Sequence, residues 1–399
     1  MYNILNGVRV IDCSSWVFMP SACAVLRDWG ADVIKVEDPR HGDPIRGLVL
    51  GGADGEIRPS LELVNRGKRS IGLDITRSES REVLHRLVAS ADVFVTSMLP
   101  SVRRRHGLDV TDLRAINPRL IYVRSSGYGP HGPTADRRAF DLVSAWAEGG
   151  AVFGMTEPEA AAPVQQAGSF GDLVGGLTAA GAVSAALYRR QLTGEPAVVD
   201  VALQNVGMYM MGQMITSASS GAPFPRHDRT HPSNPLVNSY RTSDDRWIFL
   251  CFLQADKFWA DLCRRLGNPE LIENGHFATA PLRGANSAKL VTVLDSIFAK
   301  QPLVHWQSAF HGMEGPWGIA KNGEEILTDE VVRSAGFLTE VGHAGGTFQT
   351  VATPAQFDQV PLGPSPAAPE VGQNTEEVLL ELGYTWDDIA LLKESGLTT

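Results

Sequence analysis

The first strand-to-helix turn of this chain, SSWVFMP at residues 14–20, contains no glycine. A dinucleotide site needs G-x-G-x-x-G there, so that backbone can approach a pyrophosphate, and its lack excludes a nicotinamide dehydrogenase of the usual kind. Other signatures are missing too: there is no P-loop, no H-E-x-x-H and no G-x-S-x-G. Cysteine is scarce, with Cys13, Cys23, Cys251 and Cys263 in 399 residues and no C-x-x-C pair or histidine cluster. That pattern predicts reduced, buried thiols and no structural metal. Positive charge is also short: a formal net charge of -10 argues against sequence-independent binding to nucleic acid. The opening MYNILNGVRVID has no basic n-region or apolar h-region, so a cytoplasmic protein is expected. The uncharged run Leu173 to Tyr188 reads as short for a membrane span and rich in glycine, which suits a packed core helix.

What is present is an alternation of strands and helices. VRVIDC (8–13) reads as a buried strand, a helix follows from about Ser21 to Trp29, and ADVIKVE (31–37) reads as the next strand. Further on come a helix over 79–90, strand DVFVTS (92–97), a short helix over 111–116 and strand LIYVRSS (120–126). Such alternation predicts a Rossmann-like parallel sheet with helices on both faces. A long apolar helix runs from Asp172 to about Arg190 and is followed by AVVDVAL, which reads as strand-like before turning helical. SYRTSDDRWIFLCF then reads as an antiparallel hairpin, with helices near 254–266, 286–300 and 302–311, which makes a smaller α+β unit. The expected domains are 1–200 with 370–399, and 226–325. The segments 201–225 and 326–369 read as linkers, too long for ordinary structureless loops.

Within GSFGDLVGG (168–176), Asp172 stands between glycines at the head of the long helix. It reads as an N-cap that the macrodipole keeps ionised, next to N–H groups able to stabilise an oxyanion. The glycines suggest that something needs close access to backbone. Arginines and lysines near strand ends (Arg40 with Arg46, Lys68 with Arg69, Arg103 to Arg105, Arg137 with Arg138) are surface charge individually. Gathered at the carboxyl ends of the strands, they would make a phosphate pocket.

The order and spacing of several segments resemble the class III CoA-transferase family, also called CaiB/BaiF. They are GVRVIDCSSWVFMPSACAVLRDWGADVIKVEDPRHGD, LVNRGKRSIGLDI, ADVFVTS with RRHGL, INPRLIYVRSSGYGPHGP, the GD of GSFGD, LYRRQLTGEPAVVDVAL and VGQNTEEVLLELGY. The resemblance implies two Rossmann-like subunits threaded as interlocked rings, a homodimer that would account for the long linkers. It also implies Asp172 as a nucleophile toward an acyl-CoA thioester, through an aspartyl anhydride and an aspartyl-CoA thioester, with a free carboxylic acid as acceptor. CoA is then a substrate, and no cofactor or metal is held permanently. Carried over residue by residue, the CoA contacts are Trp16, Val17 and Phe18, then Arg40 in place of an arginine that some members have where Asp38 stands. Leu73, Ile75 and Thr76 follow, then Ser97 and Met98, then Arg105 and Arg138. The glycine-run loop of oxalate-using members is missing.

The same family includes α-methylacyl-CoA racemases, which pair the GD aspartate with a histidine as two opposed proton-transfer groups. Here Phe140-Asp141 stands in the place of that histidine-aspartate pair, and phenylalanine exchanges no proton. Transfer is therefore favoured over racemisation, with a non-catalytic CoA-binding subunit as the third reading. Trp146, Met208, Met210, Met211 and Phe224 are candidates for an acyl pocket suited to a bulky or apolar acid.

Overall fold

The structure, a computed structural model, describes residues 1–48 and 57–399. It divides into two compact units: Met1–Gly154 with Gln165–Ala222 and Asp329–Thr399, and Met155–Val164 with Pro223–Thr328.

The first unit is built on a six-stranded sheet of β1 (Arg9–Cys13), β2 (Asp32–Glu37), β3 (Arg69–Gly72), β4 (Val93–Thr96), β5 (Ile121–Ser126) and β6 (Val198–Ala202). Every pairing in it is parallel, in the order β3-β2-β1-β4-β5-β6. Strand order reverses between β1 and β4, which puts the ligand crevice at their carboxyl ends. β3 was not anticipated as a strand: at four residues, beginning Arg-Ser, it carries too little apolar signal to read alone.

Burial on both faces explains the near-continuous apolar strands. Along β1, Val10 enters one core and Ile11 the other, and Phe94 and Tyr122 join Ile11. The first core is closed by α1 (Phe18–Asp28) and by α7 (Phe170–Thr193). α2 (Pro59–Asn65) packs beside α1. The second core is closed by α3 (Arg81–Ala89), α5 (Val110–Ile116) and the C-terminal helices Thr375–Glu381 and Trp386–Glu394. α4 (Pro100–His106) carries the arginine run 103–105, and α6 spans Ala151–Met155.

α1 begins three residues before the expected start. Pro20 is still tolerated because it lies in the first helical turn, whose N–H groups have no intrahelical acceptor. α7 is 24 residues long with a mean hydropathy of 1.4, long and apolar enough to cross a bilayer. The length argument made from the sequence therefore does not hold. The helix packs on α1 and the sheet instead, through Gly175, Gly176, Ala179, Ala180 and Val183.

Both segments read as linkers contain regular structure. Residues 201–225 hold α8 (Leu203–Met210) and α9 (Gly212–Ser220). Residues 326–369 hold an antiparallel hairpin whose first strand also pairs with Ser365–Pro366. Ser and Gly masked the helical period of α9 and the strand period of the hairpin.

In the second unit, strands Val237–Arg241 and Trp247–Cys251 form the expected hairpin, with Asp245 at φ 61° in its turn. Trp317–Ile319 adds a third strand, and helices Ala255–Arg265, Ser287–Phe298 and Leu303–Ala309 cover the sheet. All four cysteines are free; Cys13, Cys23 and Cys263 are buried, whereas Cys251 is exposed.

Candidate active site

The loop after β1 is held from below by buried charge. Asp12, Lys35 and Lys68 lie on or beside β1 and β2 with side chains sealed from solvent. Lys68 Nζ donates to Asp12 Oδ2 at 2.7 Å, to Asn65 Oδ1 at 2.9 Å and to the Pro20 carbonyl at 2.9 Å. Lys35 Nζ pairs with Asp43 at 2.8 Å and donates to the Ser14 carbonyl at 2.8 Å. Asp43 Oδ1 accepts the N–H of Trp16 at 3.0 Å, and Ser97 Oγ accepts that of Ser15 at 3.0 Å. Lys35, Asp43 and Ser97 thus hold the backbone of 14–16, with Lys68 and Asp12 behind them, and Trp16 keeps a left-handed φ of 68°. Sequence reading missed the network, although a charge inside an apolar strand (Asp12 in VRVIDC, Lys35 in DVIKVE) marks a buried pair.

Two recesses open at the carboxyl ends of the strands, sharing Ser15. The first, about 580 Å³ with its open mouth, is lined by Leu73, Ile75, Thr76 and Met98 and by the carboxylates Glu37, Asp38, Asp43 and Asp74. The second, about 560 Å³, is lined by Trp16, Phe18, Ser97, Ser125, Ser126, Arg137, Phe140 and Asp172. Of the CoA contacts anticipated from sequence, the fold thus gathers Trp16, Phe18, Leu73, Ile75, Thr76, Ser97 and Met98. Val17 is buried beneath the loop in an apolar cluster with Ile45 and Val64. Arg40 is two-thirds exposed at the rim, within 3.4 Å of Asp38 and 3.7 Å of Asp74. Arg105 and Arg138 are exposed and line neither recess; Arg137 lines the second instead.

Three cations of the expected phosphate pocket are engaged elsewhere. Arg46 makes a bidentate pair with Glu37 at 2.8 Å, and Arg69 binds Asp32, Glu377 and Glu381. Arg103 is buried against Asp109 and the Met98 carbonyl. These cations are consumed in holding the fold.

Asp172 is half-buried at the third position of α7 and is not the helix cap. The cap comes from 30 residues upstream: Asp141 Oδ2 accepts the N–H of Gly171 at 2.8 Å and of Asp172 at 3.2 Å. Those N–H groups are therefore unavailable to an oxyanion, and the Asp141 charge offsets the positive end of the helix. Burial, and then repulsion from Asp141, push the Asp172 carboxyl from 3.8 up to about 7. The local expectation of a firmly ionised cap is corrected on both counts.

The glycines serve protein contacts. A β-carbon on Gly176 would lie 1.9 Å from Ser21 Oγ, and one on Gly175 2.4 Å from the Phe18 ring, so α1 and α7 approach as glycine-smooth surfaces. On Gly171 it would strike Asp141 Oδ1 at 2.4 Å.

Phe140 stands edge-on to Trp16, with ring centroids 5.3 Å apart at 89°. Asp172 and Arg137 are the only ionisable side chains among the described residues lining this recess. His131 is exposed and is not among them. Of the suggested acyl-pocket residues, Trp146 is buried, Met210 packs on the core, and none lines the recess.

The chain matches the model of CoA-transferase family III over residues 5–375. It is 32% identical to (R)-2-hydroxy-4-methylpentanoate CoA-transferase of Clostridioides difficile over 98% of both chains. It is 28% identical to cinnamoyl-CoA:phenyllactate CoA-transferase of Clostridium sporogenes, over 98% of this chain and 96% of that one. Among solved structures, a CaiB/BaiF family protein from Brucella suis superposes with a TM-score of 0.84 at 29% identity, covering 96% of this chain and 100% of that one. A Rossmann-like sheet without a dinucleotide fingerprint, and the half-buried Asp172 in a recess at its crevice, fit these matches: the chain belongs to CoA-transferase family III and is a CoA-transferase.

Proposed function

We propose that Asp172 carries the transfer covalently. Its carboxylate attacks the thioester carbonyl of an acyl-CoA, the C–S bond breaks, and CoA leaves as thiolate from a mixed anhydride. The thiolate then attacks the Asp172 carbonyl, releasing the donor acid and leaving an aspartyl-CoA thioester. The incoming carboxylate reverses both steps on its own behalf. Each exchange trades an acyl-oxygen or acyl-sulfur bond for another, so no metal, redox partner or resident cofactor is needed.

The observation that carries this reading is that Asp172 faces the recess as its one carboxylate among the described residues, with a carboxyl near 7. A carboxylate of raised basicity is the better nucleophile, and neutral pH still leaves a large ionised share. Racemisation needs a second proton-exchanging group, and Phe140 cannot be one. The first recess, rimmed by Asp38 and Asp74, suits hydroxyl and amino donors such as a ribose and an adenine edge. CoA would lie with its nucleoside there, its phosphates toward Arg40 at the rim, and its thiol arm across Ser15 toward Asp172.

We further propose an interlocked homodimer working in the cytoplasm. β6 is the outer strand of the sheet, and around it Tyr188, Leu192 and Tyr209 are exposed by 67%, 65% and 87%. Apolar surface of that extent favours cover by a second copy. Chemical cross-linking of the purified chain tests it; a monomer at micromolar concentration refutes it.

The catalytic assignment is tested with Asp172→Ala, which abolishes CoA exchange between an acyl-CoA and a free acid. Undiminished exchange by the variant refutes it. Exchange of the α-proton of a 2-methylacyl-CoA in deuterated buffer, without CoA transfer, favours the racemase instead. A protein that binds CoA and does neither is a non-catalytic subunit.

A further inference from the structure

The recess that Asp172 faces has more apolar surface than the packing of the chain uses. Phe140 is 59% exposed, yet it is not loosely held. Its carbonyl accepts the N–H groups of Val143 and Ser144, each at 3.1 Å, and the Ser144 hydroxyl at 3.0 Å. Its ring meets Trp16, whose own N–H is tied to Asp43. Fixing a large aromatic ring in solvent without burying it gains the fold little, and such surface marks a place that a ligand covers.

Charge on the same walls is equally selective. Arg137 is the single cation lining the recess, and it is already engaged: it pairs with Glu148 at 2.9 and 3.3 Å and lies 4.4 Å over the Tyr128 ring. No uncommitted cation faces the cavity among the described residues, while Asp172 stands in it and Asp141 just behind.

We propose that Phe140 and Trp16 form the seat for the acyl side chain, and that the acid exchanged is a monocarboxylate with a bulky branched or aromatic side chain. This rests on the Asp172 chemistry proposed above. The reacting carboxylate meets Asp172 and the remainder of the acid lies against the two rings. A dicarboxylate is rejected, because its second carboxylate would be desolvated in a recess whose one cation among the described residues, Arg137, is already paired with Glu148.

Identity exchange tests this without knowledge of the natural donor. Full-length protein is given 3-phenylpropanoyl-CoA with deuterated 3-phenylpropanoate, and in parallel the glutarate and acetate pairs; label entering the thioester is followed by mass spectrometry. In each case one acyl–sulfur bond breaks and an equivalent one forms, so all pairs share an equilibrium constant of unity. The parent is expected to exchange the phenyl acid with a kcat/KM at least about tenfold above that for glutarate. Phe140→Ala should lower the ratio of kcat/KM for 3-phenylpropanoate over acetate by about tenfold. Phe140→Arg, which adds the missing cation, should gain exchange of glutarate, an outcome that misfolding cannot produce. Asp172-dependent exchange that favours glutarate in the parent overturns the seat and leaves the covalent mechanism standing. So does a Phe140→Ala variant that changes all acids by one common factor. Exchange of no pair at all overturns the mechanism and the seat together.

Discussion

Replacing Asp172 by asparagine removes the nucleophile and should make the protein more stable, by an amount that grows with pH. The unfolded chain ionises Asp172 near 3.8, whereas burial and Asp141 raise it to about 7 in the folded protein. Between those values the native state binds more protons than the unfolded state, so this group's contribution to stability falls as pH rises and is fully lost above about 7. At about 1.4 kcal/mol per pH unit the interval corresponds to at most about 4 kcal/mol. Solvent at a half-buried carboxylate screens part of this, which brings the expected gain for Asp172→Asn at pH 8 to on the order of 2 kcal/mol. Thermal unfolding of parent and variant at pH 5, 6, 7 and 8 measures the difference, and the titration of every other group cancels in it. The two melting temperatures should lie closest at pH 5, where part of the difference already exists because the unfolded carboxyl is ionised, and separate further, by a few degrees, at pH 8. A difference that stays constant across the series, or that shrinks as pH rises, refutes the assignment of a carboxyl raised by burial and by Asp141. A function that requires such a group holds it at the expense of stability.

Other perturbations give independent checks. Asp141→Asn removes the repulsion from Asp141 and leaves burial as the cause of the raised carboxyl, so the acidic limb of the exchange rate should move to lower pH. The pH–rate profile of kcat/KM reads this directly, and an unmoved limb argues against coupling of the two carboxylates. Gly176→Ala places a β-carbon 1.9 Å from Ser21 Oγ and 3.0 Å from the Ala22 amide, and should cost about 1–3 kcal/mol in urea unfolding. Gly181→Ala, in the same helix with nothing within 4 Å, should instead stabilise by about 1 kcal/mol. Lys35→Met leaves Asp43 and Asp12 without part of their countercharge in a sealed site, for an expected loss of about 3–5 kcal/mol. A near-neutral result would mean that the cluster does not hold the Ser14–Trp16 loop.

Most of the parallel sheet was legible because β1, β2, β4 and β5 are buried on both faces and read as apolar runs between helices. What escaped was everything held by distant polar pairing. Asp172 looked like its own helix cap because local sequence cannot reveal Asp141, 31 residues away, accepting the N–H groups of the first turn. Arg46, Lys68, Arg69 and Arg103 looked like a phosphate site because one-dimensional sequence shows cations without showing that Glu37, Asp12, Asp32 and Asp109 occupy them. Arg137 and Arg138 are adjacent and chemically alike, and only backbone direction decides which faces the recess. The glycines of 171–176 signalled close approach correctly, but what approaches is Asp141 and α1. α9 and the hairpin at Leu338–Val351 were hidden by Ser and Gly, whose turn-forming tendency is overridden by tertiary packing, whereas the turn to helix after β6 was read from the sequence.

The covalent role of Asp172 is tested most directly by isolating the enzyme during turnover with an acyl-CoA alone, digesting it, and weighing the peptide that contains residue 172. The peptide should gain the mass of CoA less one water, hydroxylamine should discharge it to a hydroxamate at Asp172, and Asp172→Asn should show neither. An enzyme that exchanges CoA at full rate while this peptide remains unmodified, or that carries the CoA on another residue, contradicts the account.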